Sequence, residues 1–295
     1  MYNILPEERR KKLRDMLCHG KHVRVMEASS GLSGLIVENV KAGDKEYDAM
    51  WISSLCNAAW QGKPDNEVVD FSDRLRTIEN ILEVTTKPVI VDGDTGGKTE
   101  HFLYHVRTLE RLGVSAIIIE DKKGLKQNSL LGNSSLHMLE DKEVFADKIR
   151  MGKAALQTSD FMIIARIESF IAGNTMEDAL DRAECYVDAG ADAIMIHSCK
   201  SDGKEIMQFL HAFRKKHAQI PVVLIPTTYC TYKEDELFEN GADVVIYANH
   251  LLRCAYKSMV RTAEQILECG RAMEADIENC ISIKEILELI SDEQN

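Results

Sequence analysis

A chain of 295 residues with 45% apolar side chains and a formal net charge of −12 is long enough for a large core and too acidic for a nucleic-acid surface, which needs clustered Lys and Arg against the phosphate backbone. Its eight cysteines show no C-x-x-C spacing, as expected of reduced thiols in a cytoplasmic protein. The start Met1-Tyr2-Asn3-Ile4-Leu5-Pro6 lacks the apolar segment of a secretory signal, and no apolar run approaches membrane-spanning length, so the expectation is a soluble, cytoplasmic protein with no membrane partner.

In chain order, the basic cluster Arg9-Arg10-Lys11-Lys12 reads as a solvated turn of a first helix, since such clusters are common on exposed helix faces. Short apolar runs then recur at 23–27, 49–53, 88–92, 115–119, 161–166, 193–197, 221–225 and 244–248. Segments such as 99–112 and 176–189 lie between them, with apolar residues at three- and four-residue spacing, the helical period. Alternating β and α predicts a parallel sheet. Gly113, Gly190 and Gly241 each precede a strand, where a helix ends on a left-handed cap. Eight βα units without an interrupting linker favour an α/β fold of the (β/α)8 TIM-barrel type over an open doubly wound sheet. One catalytic domain is expected over 1–295, with a C-terminal helical segment over about 251–295.

Active sites on such barrels collect at the carboxyl ends of the strands, and every run here ends in polar groups. They are Glu27, Ser53-Ser54, Asp92-Gly93-Asp94, Glu120-Asp121-Lys122, Arg166 with Glu168, His197-Ser198, Thr227-Thr228 and Asn249-His250, and they are expected to share one cavity. Asp92 and Asp94 are two apart on an extended segment and point the same way. With Glu120 they offer the oxygen ligands that suit Mg²⁺; the alternative for Asp94 is an N-cap of the next helix. Arg166 at the end of an apolar run requires an anion, either a ligand or an acid such as Glu168. His197 is either a ligand contact or a satisfied core residue. Gly96-Gly97 reads as a turn. Lys123-Gly124 and Gly132-Asn133-Ser134-Ser135 bracket a segment long enough to act as a lid.

The segment Glu120-Asp121-Lys122-x5-Asn128-Ser129 resembles the signature of the phosphoenolpyruvate mutases within the isocitrate lyase superfamily. Met26-Glu27-Ala28, Trp51-x-Ser53, Pro64-Asp65-Asn66-Glu67, Asp92-Gly93-Asp94-Thr95-Gly96, Ala165-Arg166-Ile167-Glu168, Met195-Ile196-His197-Ser198 and Tyr247-Ala248-Asn249-His250 also resemble family blocks, in family order. The resemblance implies conversion of phosphoenolpyruvate to phosphonopyruvate, with Mg²⁺ as cofactor, as the entry step of phosphonate biosynthesis. By motif position it implies Asp92 as metal ligand, supported through water by Asp94, Glu120 and Asp65. Trp51, Ser53, Ser54 and Leu55 fall on the substrate-binding side, the last three on the loop that holds the substrate carboxylate. Arg166 and His197 fall around the phosphoryl and bridging oxygens, and Lys126, Asn128 and Ser129 on a gating loop. Asp65 would accept the phosphoryl group or orient it.

Two departures touch lid stiffness: Leu125 stands before Lys126 where some members carry proline, and Ser54 stands where Gly is frequent. The nearest rival is phosphonopyruvate hydrolase, whose pattern tends to replace Asn128 by Thr. The superfamily's carbon–carbon lyases use a cysteine in a Lys-Lys-Cys-Gly-His-like loop, and no such loop is present. A barrel retained as a sensor or scaffold is disfavoured by the intact charged set, which is costly to keep without function. Relatives assemble as dimers of dimers that exchange the helix after the eighth strand, here 251–273, so the resemblance implies a homotetramer.

Overall fold

The computed structural model describes residues 4–124, 126, 128–129 and 137–291. Eight strands close into a parallel barrel, β1 (Val23–Glu27), β4 (Ala49–Ile52), β5 (Val89–Asp92), β6 (Ala116–Glu120), β7 (Met162–Ile167), β8 (Ala193–Ile196), β9 (Val222–Leu224) and β10 (Val244–Tyr247). The ring is sealed by β1 pairing with β10, Val23 opposite Val244. The helices α2 (Gly31–Asn39), α3 (Ser54–Trp60), α4 (Phe71–Leu82), α5 (Thr99–Leu112), α6 (Lys142–Ala155), α7 (Met176–Asp188), α8 (Lys204–Arg214) and α9 (Glu234–Glu239) lie between successive barrel strands. The left-handed cap expected before a strand is present at Gly113, with φ of 84°. The loop Gly132-Asn133-Ser134-Ser135, expected to bound the lid segment, lies outside the described residues.

Side chains alternate along a strand, and the barrel sorts them into two apolar layers. Val25, Trp51, Ile90, Ile118, Ile164, Met195, Val223 and Ile246 belong to the cluster inside the ring, whereas Met50, Val91, Ile117, Ile163, Ile194 and Val245 pack with helix residues such as Phe102, Phe145 and Phe209 outside it. One step further along the inward rows stand the groups expected to do chemistry. Trp51 leads to Ser53, Ile90 to Asp92, Ile118 to Glu120, Ile164 to Arg166 and Met195 to His197.

The first helix departs from its expected role. α1 (Pro6–Cys18) is solvated over only part of its basic cluster: Lys11 is exposed, but Arg9 and Arg10 are buried. Arg9 Nη2 donates to the carbonyls of Leu82 (2.8 Å) and Thr85 (3.0 Å), and Arg10 Nη1 to that of Glu110 (2.7 Å). Carbonyls left over at helix and loop ends need donors, and these guanidinium groups supply them, while Leu13 enters the apolar cluster inside the ring. Two further differences concern short elements. A hairpin of β2 (Lys41–Ala42) and β3 (Lys45–Glu46) follows α2; its exposed charged strands carry no apolar run for a sequence reading to catch. The helix expected over 251–273 is divided, because Gly270 adopts φ of 64° and ends α10 (His250–Cys269) before α11 (Met273–Asn279) and α12 (Ile283–Leu289). Among the described residues no helix is long and apolar enough to cross a membrane.

Candidate active site

The turn after β5 is stitched to its neighbour before any ligand is considered. Gly93 N donates to Ile118 O (2.7 Å) and Glu120 N to Asp94 O (2.8 Å). A Cβ on Gly93 would lie 2.8 Å from that same Ile118 oxygen, so only glycine permits the approach. Asp94 has φ of 52°, a left-handed conformation that Asp tolerates better than most residues. It does not cap the next helix, whose N-cap is Lys98.

Above this turn lies a cluster of oxygens around one ammonium. Ser54 donates to Asp92 Oδ2 from its backbone N (3.2 Å) and from Oγ (2.7 Å). Lys126 Nζ is 2.7 Å from Asp94 Oδ1, 3.4 Å from Asp92 Oδ2 and 3.4 Å from Asp65 Oδ1, and it also contacts Ser54 Oγ. Asn128 Nδ2 donates to Asp65 Oδ2 at 2.9 Å. Burial opposes the charge on Asp92, but Lys126, Arg166 and Arg74 outweigh it and hold the carboxyl below its usual range. The same acids more than offset the burial of Lys126 and strengthen its hold on its proton.

A second cluster is centred on Glu168, the next inward step from Arg166. Its carboxylate pairs with Arg166 Nε, accepts from Ser129 Oγ (2.7 Å), and lies 3.1 Å from Lys122 Nζ and 3.0 Å from His197 Nδ1. Arg166 Nη2 donates to Ser129 Oγ (2.8 Å), lies 3.2 Å from Glu120 Oε2 and 2.9 Å from His197 Nδ1. Burial and then the Arg166 charge lower the His197 pKa, against the pull of Glu168, which favours the neutral ring. Its Nδ1 then either accepts from Arg166 or donates to Glu168. Arg166 therefore has acid partners in Glu168 and Glu120, and it also lines the cavity.

That cavity, of about 60 Å³, is lined by Trp51, Ser53, Leu55, Asp65, Asp92, Lys126, Asn128, Ser129, Arg166 and His197, with Thr227 and Asn249 added. Ser54, Asp94 and Glu120 stand behind this lining. Not every polar strand end joins. Glu27 accepts from the backbone N–H groups of Leu251 (3.2 Å) and Leu252 (2.9 Å) at the start of α10. Asp121, one residue out of phase with Glu120, turns outward to Arg182 (3.1 Å) and Tyr186 (2.7 Å). Arg74 is the member that the sequence reading does not point to, whereas Lys122 and Glu168 are expected at the strand ends but without an assigned role. Period-two counting from Arg166 reaches Glu168, and Arg74 interrupts the apolar stripe of α4 formed by Ile78, Ile81 and Leu82.

Among the described residues no three His, Cys, Asp or Glu side chains form a ready-made metal cage; the Lys126 ammonium sits among Asp65, Asp92 and Asp94 instead. The donor chemistry nevertheless fits a hard cation. All the candidate ligands are oxygens, and both carboxylate oxygens of the buried Glu120 accept no hydrogen bond among the described residues. Burial pushes Glu120 up to about 7 against Arg166 and Lys122, with the Glu168 charge adding to the rise. An acid so placed gains from a cationic neighbour.

A closed parallel barrel with acids, lysines and an arginine converging at the carboxyl ends of its strands has the build of an α/β-barrel enzyme. The family model described as phosphoenolpyruvate phosphomutase matches residues 13–267. A phosphoenolpyruvate phosphomutase of Tetrahymena pyriformis is 36% identical over 245 residues, 83% of this chain and 79% of that protein. A phosphonopyruvate hydrolase of Variovorax sp. (strain Pal2) is 34% identical over 284 residues, covering 96% and 94%. The crystal structure of a phosphonopyruvate hydrolase complex with oxalate and Mg²⁺ superposes with a TM-score of 0.87 at 32% identity, covering 97% of this chain and 96% of that one. The chain belongs to the phosphoenolpyruvate phosphomutase family.

Proposed function

We propose that the protein isomerises phosphoenolpyruvate and 3-phosphonopyruvate, the entry step of phosphonate biosynthesis. The observation that carries this reading is Asn128 Nδ2 donating to Asp65 Oδ2 at 2.9 Å, at a position where the hydrolase-like pattern tends to carry Thr. In the forward direction the bond from phosphorus to the enol oxygen breaks, leaving the enolate of pyruvate, and C3 forms the new bond to phosphorus. No water is consumed. Ser53, Ser54 and Leu55 at the start of α3 hold the substrate carboxylate, with Trp51, whose Nε1 is buried and unpartnered among the described residues, beside them. Arg166 offsets the charge on the phosphoryl group. His197, with Nδ1 accepting from Arg166, carries its proton on Nε2 and donates it as a hydrogen bond to the bridging oxygen. Asp65 is fixed between Asn128 and Lys126 to orient the migrating group, and Lys126, Asn128 and Ser129 keep water from it. Asp92, with Asp94 and Glu120 near it, would hold Mg²⁺, which would supply positive charge against the developing enolate and phosphoryl charges.

Phosphonopyruvate hydrolysis stands second, on the strength of the 34% identity to the Variovorax protein. Phosphonopyruvate incubated with the protein and Mg²⁺, followed by phosphorus NMR, is expected to give phosphoenolpyruvate; pyruvate and phosphate as main products would overturn the mutase reading. We also propose that the barrel acts as a single catalytic unit in a cytoplasmic homotetramer, a dimer of dimers exchanging α10. Supporting this, α10 has no buried residue and exposes Tyr256, Met259 and Leu267, more apolar surface than a solvated helix needs.

A further inference from the structure

We infer that Arg74, on the outer helix α4, is a positioning residue that sets the protein's affinity for a divalent cation by fixing which oxygen of Asp94 the site receives. Its guanidinium is buried and reaches the turn after β5 from behind. Arg74 Nη1 binds Asp94 Oδ2 at 2.6 Å, and Nη2 binds the Asp92 carbonyl. That fork spans both ends of the Asp92-Gly93-Asp94 turn, whose last residue sits in the left-handed region at φ 52°. Asp94 is thereby divided: Oδ2 is held outward by Arg74, and Oδ1 alone faces the cluster, 2.7 Å from Lys126 Nζ.

The alternative is that Arg74 merely fills space. Its setting argues otherwise, because a cavity of about 140 Å³ lies beside it, lined among others by Glu67, Phe71, Gly97 and His105. Packing therefore does not immobilise the turn from this side, and the fork does. A lysine reaches one of the two acceptors at a time and lacks the planar pair of donors, so Arg74→Lys is expected to restore little of what Arg74→Met removes.

The inference rests on the metal-assisted reading above. Its test is the binding of Mn²⁺ to the full-length protein without substrate, followed by the electron paramagnetic resonance of the free ion, with Mg²⁺ as competitor. Residues that orient metal ligands typically change metal affinity by about 10–100-fold when removed, and a loss in that range is expected for Arg74→Met with the fold intact by circular dichroism. Arg74→Lys should fall nearer to Met than to wild type. A folded Arg74→Met protein with wild-type Mn²⁺ affinity would overturn the role of Arg74 alone, including when its melting temperature has dropped. A wild-type protein that binds no Mn²⁺ would overturn the metal-assisted reading and this inference with it. Should Arg74→Met not fold, Arg74→Lys binding Mn²⁺ as wild type does would overturn the inference equally.

Discussion

Replacing Glu168 by Gln removes one negative charge from the point where the two cationic side chains of the inner cluster meet. The fully buried carboxylate faces Arg166 Nε, Lys122 Nζ at 3.1 Å, Ser129 Oγ at 2.7 Å and His197 Nδ1 at 3.0 Å. An amide supplies one oxygen where two were used, and turns an N–H toward a donor. Removing one partner of a buried ion pair costs roughly 3–5 kcal/mol. Unfolding entropy of about 2.1 cal/mol/K per residue over 295 residues comes to about 0.6 kcal/mol/K, so the melting temperature should fall by roughly 5–8 °C. The lower end is expected, because Glu120 Oε2 remains 3.2 Å from Arg166 Nη2 and takes over part of the compensation. Arg166 loses the partner that orients its fork, and misplacement of a substrate-positioning group by about 1 Å can cost roughly 10²-fold in rate. Differential scanning fluorimetry and the phosphorus NMR rate measure the two effects. A variant that melts and turns over like wild type would refute the account of Glu168 as the hub, and one that melts early yet keeps its turnover would confine Glu168 to stability.

Three further outcomes follow from the same geometry. Gly93→Ala places a Cβ 2.7 Å from Ile117 Cγ1 and 2.8 Å from Ile118 O; since a backbone oxygen cannot swing aside, urea unfolding should show a loss of about 1–3 kcal/mol, and an unchanged midpoint would contradict the stitched turn. Burial raises the Glu27 carboxyl above its ordinary 4.5, so between 4.5 and the raised value the folded state binds more protons than the unfolded one and stability falls as pH rises through that window; Glu27→Gln should flatten the slope of melting temperature against pH there, and parallel curves would count against it. Asn128→Thr should shift products from phosphoenolpyruvate toward pyruvate and phosphate, because Asp65 loses its 2.9 Å amide contact and water gains access; a constant product ratio would argue that selectivity lies elsewhere.

The sequence makes the barrel legible because the barrel strands are almost entirely buried on both faces, so they show up as short apolar runs, and because polar groups at the ends of such runs are conspicuous. Asp92, Glu120, Arg166 and His197 are readable for that reason: each continues an inward row that starts in the apolar interior. The basic cluster at Arg9 and Arg10 is misleading for the converse reason. Its acceptors are main-chain carbonyls, which carry no trace in the sequence, so a buried guanidinium looks the same as a solvated one. Glu27 and Asp121 show the same limit, since which face a polar strand end takes depends on the register and on partners such as Leu252 N and Arg182. Asp65 lies outside the strands, before α4, and only motif likeness points to it.

The seat of α1 bears on how the chain is made. Arg9 binds carbonyls that lie 73 and 76 residues further along, Arg10 one 100 residues on, and the ring itself closes only when Val23 meets Val244. α1, synthesised before these partners, therefore stays without them until the later strands exist, and the last barrel strand is the one that completes the pairing of the first. Such long loops must close before their contacts repay the lost chain entropy. Growing chains that stop short of β10 expose the edge of β1, and that edge is the place where a chaperone or a neighbouring unfinished barrel would attach.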